Sequence, residues 1–496
     1  MFILHIPYFC FIFYPSEEAL YYLLAERVCS SHPLYTQTWD YHPPLMTWIY
    51  SLFYYPFAQD SLVTLRIISA IWIYISAFLL NQLIINYKFL PDGSFLPAFL
   101  YISLASTPWY EFYFSPDLVC SFLIMIIILV LCKALIDDAK VWQNFFIIGL
   151  LLGTCFFLKY HALSYLIIVL AAYILITPPR IDEVTTLFLG FFVTLLAFLL
   201  IIYFSGSFAQ FWDQAVVFNL DLLISINTRE FKLKEPASFL HFFYLWGAII
   251  AMAILGFFSY RTRFYKTIIR QRKFETIMGV WLILGTIALF FSGFELRMNY
   301  FLQVLPPYIF YSVYLLRNKI PPRYRMMSIL FMLLPSFYVY FLFFVHGLDL
   351  LPQSAPRLIK ENSWANSIQK QVEINENLKK IESFLIKQCP NAGIFIASYH
   401  PEWYLYLKRP AHSKYLNTRI AFSKMNWLPQ NHTQLDLLSQ PESERAVYQS
   451  FEIEKPHCII DNKGYFAAIK DKIPLLLQNY QKHRVGNWDI YLWKKD

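Results

Sequence analysis

A chain of 496 residues that is 57% hydrophobic, 20% aromatic and only 15% charged, with a mean hydropathy of +0.43, is not a water-soluble globular protein. Its formal charge of +8 is concentrated in short loops between apolar runs, a membrane-topology pattern that argues against nucleic acid as a partner. No Cys/His cluster has zinc-ligand spacing, so no metal site is expected.

The first stretch, Met1–Tyr14, is apolar but short for a span. It lacks a basic n-region and a small-residue cleavage site, so it is expected to be retained, as a tilted or truncated helix or the end of one that starts upstream. Ser16-Glu17-Glu18-Ala19-Leu20-Tyr21-Tyr22 follows, and then Tyr35-Thr36-Gln37-Thr38-Trp39-Asp40-Tyr41-His42-Pro43-Pro44-Leu45. Two adjacent carboxylates, then an acid and a histidine braced by a rigid Pro pair, are costly polarity beside a bilayer and point to function. Leu45–Phe57 is apolar but short, and is expected in the interface or re-entrant. Spans are expected at roughly 62–86, 95–107, 117–132, 143–157, 162–177, 186–204, 239–259, 275–292, 299–316 and 326–346, about 11 with the N-terminal segment. Residues 205–238 suggest a helix lying on the membrane, through Phe208, Phe211, Trp212 and Val216, and then a polar turn from Asn227 to Pro236.

Orientation follows from the loops. Residues 260–275 carry Arg261, Arg263, Lys266, Arg270, Arg272 and Lys273 against Glu275, and 317–325 carry Arg317, Lys319, Arg323 and Arg325 with no acid. Both are expected in the cytoplasm. Counting spans outward puts the N-terminus inside, Glu17–Ser61 outside and the C-terminal part outside. Glu111, Asp117, Lys159, His161, Glu295 and Arg297 then share the outer face, with the loops at 87–94, 133–142 and 178–185 inside. Two domains follow: a membrane domain over 1–347, with its first outer loop at 15–61, and a polar extracytoplasmic domain over 348–496. In the latter, an amphipathic helix is expected over 361–388, strands at 393–398, 457–461 and 488–493, and a helix from about Phe466 to Tyr480, making a small α/β domain. Cys10, Cys120, Cys132 and Cys155 lie in apolar runs as small hydrophobes. Cys389 and Cys458 fall in the outer domain, where a disulfide is open, since nothing in their spacing shows that they meet.

The expected outer face thus gathers Glu17, Glu18, Asp40, His42, Glu111, Asp117, Lys159 and Arg297. Interfacial carboxylates can take a proton from a hydroxyl nucleophile, and Lys, His and Arg can neutralise a phosphate whose lipid tail stays in the bilayer. Displacement at a sugar carbon, with a lipid phosphate leaving, uses both sets and inverts the anomeric centre.

Several motifs carry a family resemblance: Glu17-Glu18-Ala19-Leu20-Tyr21-Tyr22 with His42-Pro43-Pro44; Ser115-Pro116-Asp117; Gly149-Leu150-Leu151-Leu152-Gly153 leading to Leu158-Lys159-Tyr160-His161-Ala162; and Arg297-Met298-Asn299-Tyr300-Phe301-Leu302-Gln303 leading to Leu305-Pro306-Pro307. In this order they resemble the integral-membrane glycosyltransferases of GT-C fold, in particular the dolichyl-phosphate-mannose–protein mannosyltransferase-like and lipid A aminoarabinose transferase-like proteins of bacteria. The resemblance implies an α-helical polytopic membrane protein with a C-terminal extracytoplasmic α/β domain, in the cytoplasmic (inner) membrane of a bacterium. It implies a polyprenyl-phosphate sugar as donor, a lipid, glycan or protein acceptor, no nucleotide sugar and no obligatory metal or other cofactor. Glu17, with Glu18 beside it, takes the place of the catalytic base, where relatives usually show Asp-Glu. His42 and Lys159 take the places of donor-phosphate contacts, and Asp40, Asp117 and Arg297 complete the expected substrate-binding set.

Each residue also has a plainer reading. Glu17 and Glu18 suit a solvated helix N-terminus, and Asp117 a helix cap. Pro43-Pro44 suits a rigid turn, Lys159 a side chain snorkelling to the headgroups, and Arg297 an interfacial anchor. His161, Glu111 and Glu295 read as surface residues. The competing function is a carrier or flippase for lipid-linked or amphipathic solutes. Against it stand the lack of an inverted repeat and of Gly/Pro-broken helices at mid-membrane.

Overall fold

The computed structural model describes residues 16–57, 61–91, 93–106, 114–220, 236–261, 269–291, 298–348, 377–390, 393–397, 401–413, 416, 455–461, 479–486 and 488–494. Outside them fall the N-terminal apolar stretch, Glu111, Glu295, Arg297, nearly all of the expected polar turn at 227–236, the first part of the helix expected at 361–388, and nearly all of that expected at 466–480. The chain divides into two compact units. One contains Met1–Phe13, His42–Phe208 and Leu223–Leu348, and the other Tyr14–Tyr41, Ala209–Leu222 and Asp349–Asp496.

The first unit is helical. Its elements are α2 (Leu45–Phe57), α3 (Ser61–Asn86), α4 (Leu96–Ala105), α5 (Pro116–Leu135), α6 (Val141–Leu158), α7 (Ser164–Ile176), α8 (Ile181–Phe204), α9 (Pro236–Arg261), α10 (Ile269–Phe291), α11 (Leu305–Asn318) and α12 (Pro322–Leu348), with α1 (Ser16–Cys29) in the second unit. Val63–Asn86, Pro116–Leu135, Val141–Leu158 and Ile181–Phe204 are long and apolar enough to cross a membrane, and Leu96–Ala105, Tyr160–Ile176 and Trp246–Ser259 are shorter apolar helices. The chain is a multi-pass membrane protein. In hydrocarbon every backbone polar group must be satisfied within its own segment, and a helix does that.

Helices α6 and α8 meet backbone to backbone. A Cβ at Gly149 would lie 2.1 Å from the Leu187 carbonyl, and one at Gly190 would lie 2.2 Å from the Phe146 carbonyl. The run expected at 299–316 is broken: a short helix at Met298–Phe301 passes through a turn into α11, which carries Pro306 and Pro307 in its first turn. Prolines fit there because the first helical N–H groups have no intrahelical partner.

One end of this bundle is tied by basic side chains. Arg270 pairs with Asp137 at 2.6 Å, and Lys273 Nζ donates to the Leu135 carbonyl at 2.8 Å. Arg317 donates to the Phe89 carbonyl, and the Tyr87 and Phe274 rings stack at 4.7 Å. The loops at 87–94 and 133–142 therefore lie with the ends of α10 and α11 that carry the basic residues.

In the second unit, strands β1 (Ile394–Ala397), β2 (Cys458–Asp461), β3 (Tyr480–Val485) and β4 (Trp488–Trp493) form a sheet of order β1-β2-β4-β3. β1 and β2 are parallel, and the other pairings antiparallel. β3 was not expected, and Tyr480, placed at a helix end by the sequence, opens this strand. Its sequence, Tyr-Gln-Lys-His-Arg-Val, is polar because it is an edge strand, mostly exposed past Tyr480. Residues 377–388 are helical and bury Leu378, Ile381 and Leu385. α1 belongs to the same unit, where Arg27 donates to the Ala411 carbonyl at 2.7 Å.

Replacing Gly190 with Leu forces α6 and α8 apart. The expected cost is about 3 kcal/mol, at the upper part of the overpacking range. Thermal unfolding in detergent checks this, with a clear fall in Tm expected for Gly190→Leu and little change for Leu189→Ala at an exposed neighbouring position.

Candidate functional site

At the end of α5 opposite its basic-loop end, the chain builds a buried polar cluster. Ser115 is the N-cap of α5, its hydroxyl accepting from the Leu118 N–H at 3.1 Å, and Pro116 follows as the first helical residue. Asp117 is thereby fixed in the first turn, and it is fully buried. Lys159 ends α6 in an extended conformation and starts the 3-10 turn Tyr160–Leu163 that leads to α7. Its Nζ meets Asp117 Oδ2 at 2.6 Å and lies 4.0 Å from the centroid of the Tyr300 ring.

Gln303, in the break before α11, ties the rest together. Its Nε2 donates to Asp117 Oδ1 at 2.7 Å and faces His161 Nε2 at 3.1 Å. Its carbonyl accepts from Trp281 Nε1 at 3.2 Å and from the Tyr165 hydroxyl at 3.3 Å. Since Gln303 offers an N–H to His161 Nε2, that nitrogen accepts, and the imidazole proton belongs on Nδ1. The Tyr300 and His161 rings stand 5.1 Å apart. Lys159 keeps a side-chain exposure of 19% while Asp117 has none. A carboxylate so buried is tolerable because one oxygen takes an ammonium and the other an amide.

His161 lies in the turn between α6 and α7, outside both helices. Desolvation by the surrounding protein, and secondarily the Lys159 charge, lower its pKa to about 4, against opposing effects of Asp117 and Gln303. The ring is only partly exposed, and it stays neutral at ordinary pH. It is no surface residue, as the sequence reading had it, but a member of the cluster.

The second unit holds the first acidic residues. Glu17 and Glu18 lie in the first turn of α1, Glu17 partly exposed and Glu18 wholly buried. A solvated cap does not describe Glu18. The loop after α1 uses left-handed backbone at Ser31 and Tyr35, with Tyr35 N–H bonded to the Thr38 carbonyl at 2.7 Å. Asp40 is buried at its end, 1% exposed. Two side chains that the sequence reading passed over hold this loop. Gln214 donates to the Tyr35 carbonyl at 2.7 Å and accepts from the Asp40 N–H at 3.2 Å. Asn219 donates to the Tyr41 carbonyl at 2.7 Å. Both come from the stretch expected to lie on the membrane, which here forms the helix Phe208–Phe211 and the π-helical turns Trp212–Val217. Phe218 packs edge-on to Trp39 at 5.6 Å.

Of the residues singled out by sequence, the structure joins Asp117 and Lys159 directly. Glu17, Glu18 and Asp40 belong to the second unit, and His42 to the first. Gln303, His161 and Tyr300 complete the Asp117–Lys159 cluster. Tyr300 and Gln303 stood in one of the quoted motifs, but nothing in the pattern distinguished them.

Residues 41–204 match the family model described as dolichyl-phosphate-mannose-protein mannosyltransferase. Among solved structures, the chain is similar to ArnT from Cupriavidus metallidurans bound to undecaprenyl phosphate, with 13% identity, 96% of this chain and 93% of that one covered, and a TM-score of 0.53. It is also similar to the Archaeoglobus fulgidus oligosaccharyltransferase in the apo form, with 12% identity, coverage of 94% and 69%, and a TM-score of 0.47. No curated protein matches the sequence significantly. The likeness to ArnT gives the chain the GT-C fold, and with the family match it bears out the resemblance carried by the motifs.

Lys159→Met should strand the Asp117 carboxylate and cost on the order of 3 kcal/mol, while the double variant Asp117→Leu with Lys159→Met should recover much of that loss. Thermal unfolding of the single and double variants in detergent reads the coupling. For His161, the folded pKa lies below the ordinary value, so its contribution to stability is present above about pH 6.5 and is lost as pH falls toward 4. The Tm of wild type relative to His161→Gln should therefore drop between those pH values.

Proposed function

We propose that this chain, of GT-C fold and matching the mannosyltransferase family model over residues 41–204, is an inverting glycosyltransferase that takes its sugar from a polyprenyl phosphate. Transfer is to an acceptor hydroxyl at the outer face of a bacterial cytoplasmic membrane, in envelope glycan or glycolipid modification such as that of lipopolysaccharide. The observation that carries the reading is the Asp117–Lys159–Gln303 cluster at one end of α5, with the basic loops at the other. Twenty helical residues rise about 30 Å, the thickness of a hydrocarbon core. With the basic end inside, by the rule that cytoplasmic loops collect Lys and Arg, the cluster lies at the outer surface.

Lys159, held by Asp117 and partly exposed, is a compact cation with rotatable N–H donors, suited to meet a phosphate oxygen. Asp117, wholly buried, acts through Lys159 by orienting it. His42, before its Pro pair, and Asp40 in the loop held by Gln214 serve the donor headgroup, and the resemblance adds Arg297 to the substrate-binding set. Glu17 is the base: its carboxylate takes the proton of the acceptor hydroxyl as that oxygen attacks the anomeric carbon. The bond from that carbon to the phosphate oxygen breaks, and the electron pair leaves with the lipid phosphate. One displacement inverts the centre. The undecaprenyl phosphate held by the structural neighbour supports a polyprenyl-phosphate ligand here. We assign residues 1–347 to the membrane domain that binds the donor and 348–496 to an outer domain.

Purified protein should transfer sugar from radiolabelled polyprenyl-phosphate donors. Glu17→Gln should lower turnover by about 10²-fold or more, with KM for the donor little changed. Since Glu18 is adjacent, the Glu17→Gln, Glu18→Gln double variant is assayed beside it. Unchanged turnover in both would end the assignment of the base.

A further inference from the structure

The C-terminal unit places two thiols together that the sequence separates widely. Cys389 closes the helix at 377–388, its N–H bonded to the Leu385 carbonyl at 2.8 Å. Five residues later Ile394 opens β1, and its partner across the parallel pairing is Cys458, the first residue of β2. Helix end and strand start are held in this relation from both sides. Arg409 donates to the Pro390 carbonyl, and the Ile394 backbone bonds the Pro410 carbonyl at 3.1 Å and the His412 N–H at 2.9 Å. Cys389 and Cys458 side chains hydrogen-bond to each other, Cys458 wholly buried and Cys389 partly exposed. That contact, and burial, push the Cys458 thiol well above its usual range.

We propose that Cys389 and Cys458 are a disulfide pair, oxidised once the C-terminal unit has reached the outer side of the membrane. The proposal rests on the outward placement of that unit given above. Compartments outside the cytoplasm permit disulfides, whereas the cytoplasm keeps thiols reduced. The partly exposed Cys389 is the point of entry. Its thiolate attacks the disulfide of a dithiol-disulfide oxidant protein, giving a mixed disulfide and freeing one oxidant thiol. The Cys458 thiolate then attacks the Cys389 sulfur and displaces the oxidant's second sulfur. Two cysteine thiols lose two protons and two electrons, and the oxidant's disulfide becomes two thiols. The bond would close a loop of about 70 residues, a length at which a crosslink restricts the unfolded chain strongly. It would also pin the helix at 377–388 to the edge of the parallel pair. A second close pair provides a control. Cys120 Sγ lies 4.0 Å from the Cys155 carbonyl, but both residues are buried within α5 and α6. They are expected to remain thiols.

The test quenches intact bacteria producing the full chain with acid, denatures the membranes in the presence of an alkylating reagent, and maps cysteines by mass spectrometry with and without reduction. The expected result is loss of alkylation at Cys389 and Cys458, recovery of their peptides as one linked species two hydrogens lighter, and full alkylation of Cys120 and Cys155. Alkylated Cys389 and Cys458 from intact cells, or either one linked to Cys29, would overturn the proposal. A second arm says which premise failed: the purified reduced protein is treated with diamide. Linkage there, after free thiols in cells, means that the geometry holds and the unit does not face an oxidising compartment. No linkage in either arm means that the two sulfurs do not meet, and leaves the outward placement standing.

Discussion

The buried ion pair between Asp117 and Lys159 is the constraint on which the membrane unit depends. Removing a carboxylate from water costs several kcal/mol, and attraction to one ammonium compensates only when the second oxygen is also bonded. That requirement recruits Gln303, and Gln303 is held in turn through its carbonyl by Trp281 and Tyr165. Five segments are thereby brought to one point: the start of α5, the end of α6, the beginning of α7, the middle of α10 and the break before α11. The break is itself part of the solution. It falls just ahead of Pro306 and Pro307, whose nitrogens carry no N–H to give the Gln303 carbonyl, so that carbonyl is left for two side-chain donors while the amide reaches Asp117.

The opposite end of the same helices obeys another rule. Lys273 and Arg317 each donate to a backbone carbonyl at or beyond a helix end, Leu135 and Phe89, and Arg270 pairs with Asp137. Those carbonyls lack an intrahelical partner, and cations there also suit the negative end of the helix dipole. Positive side chains thus close one end of the bundle by capping it, while the other end buries its charges in mutual contact. The first arrangement tolerates water and headgroups; the second fixes an ammonium against a buried carboxylate.

Much of this was legible in the residues. Apolar runs near the length of a bilayer marked the helices from α3 onward, because nothing else in such a chain explains them. Asp117 and Lys159 stood out as charges at the ends of those runs, and the motifs set them in one family pattern. The pairing partners did not stand out. Gln303 is one amide in an apolar context, and only the break at Leu302–Val304 explains why it faces inward. Gln214 and Asn219 hold the loop at Tyr35–Tyr41 through backbone carbonyls, which accept from any donor and so leave no mark on the loop's own sequence. β3 was hidden for the opposite reason. An edge strand with one row of neighbours needs no alternation of apolar residues, and Lys482, Arg484 and Asp489 across the hairpin give it charge where a pattern search looks for burial.

The plain and functional readings of Asp117 prove to be compatible. Ser115 supplies the cap and Pro116 the first helical residue, so the helix start does not need the aspartate as its cap. An acid in the first turn is still favoured there by the helix dipole. The same geometry brings the carboxylate to Lys159. A residue placed by local helix chemistry therefore becomes the counter-ion of a cation from another helix. The lysine is fixed by that contact and keeps part of its side chain exposed. The cluster thus holds a partly exposed ammonium against a buried carboxylate at one end of the bundle, a fixed charge at a fixed place.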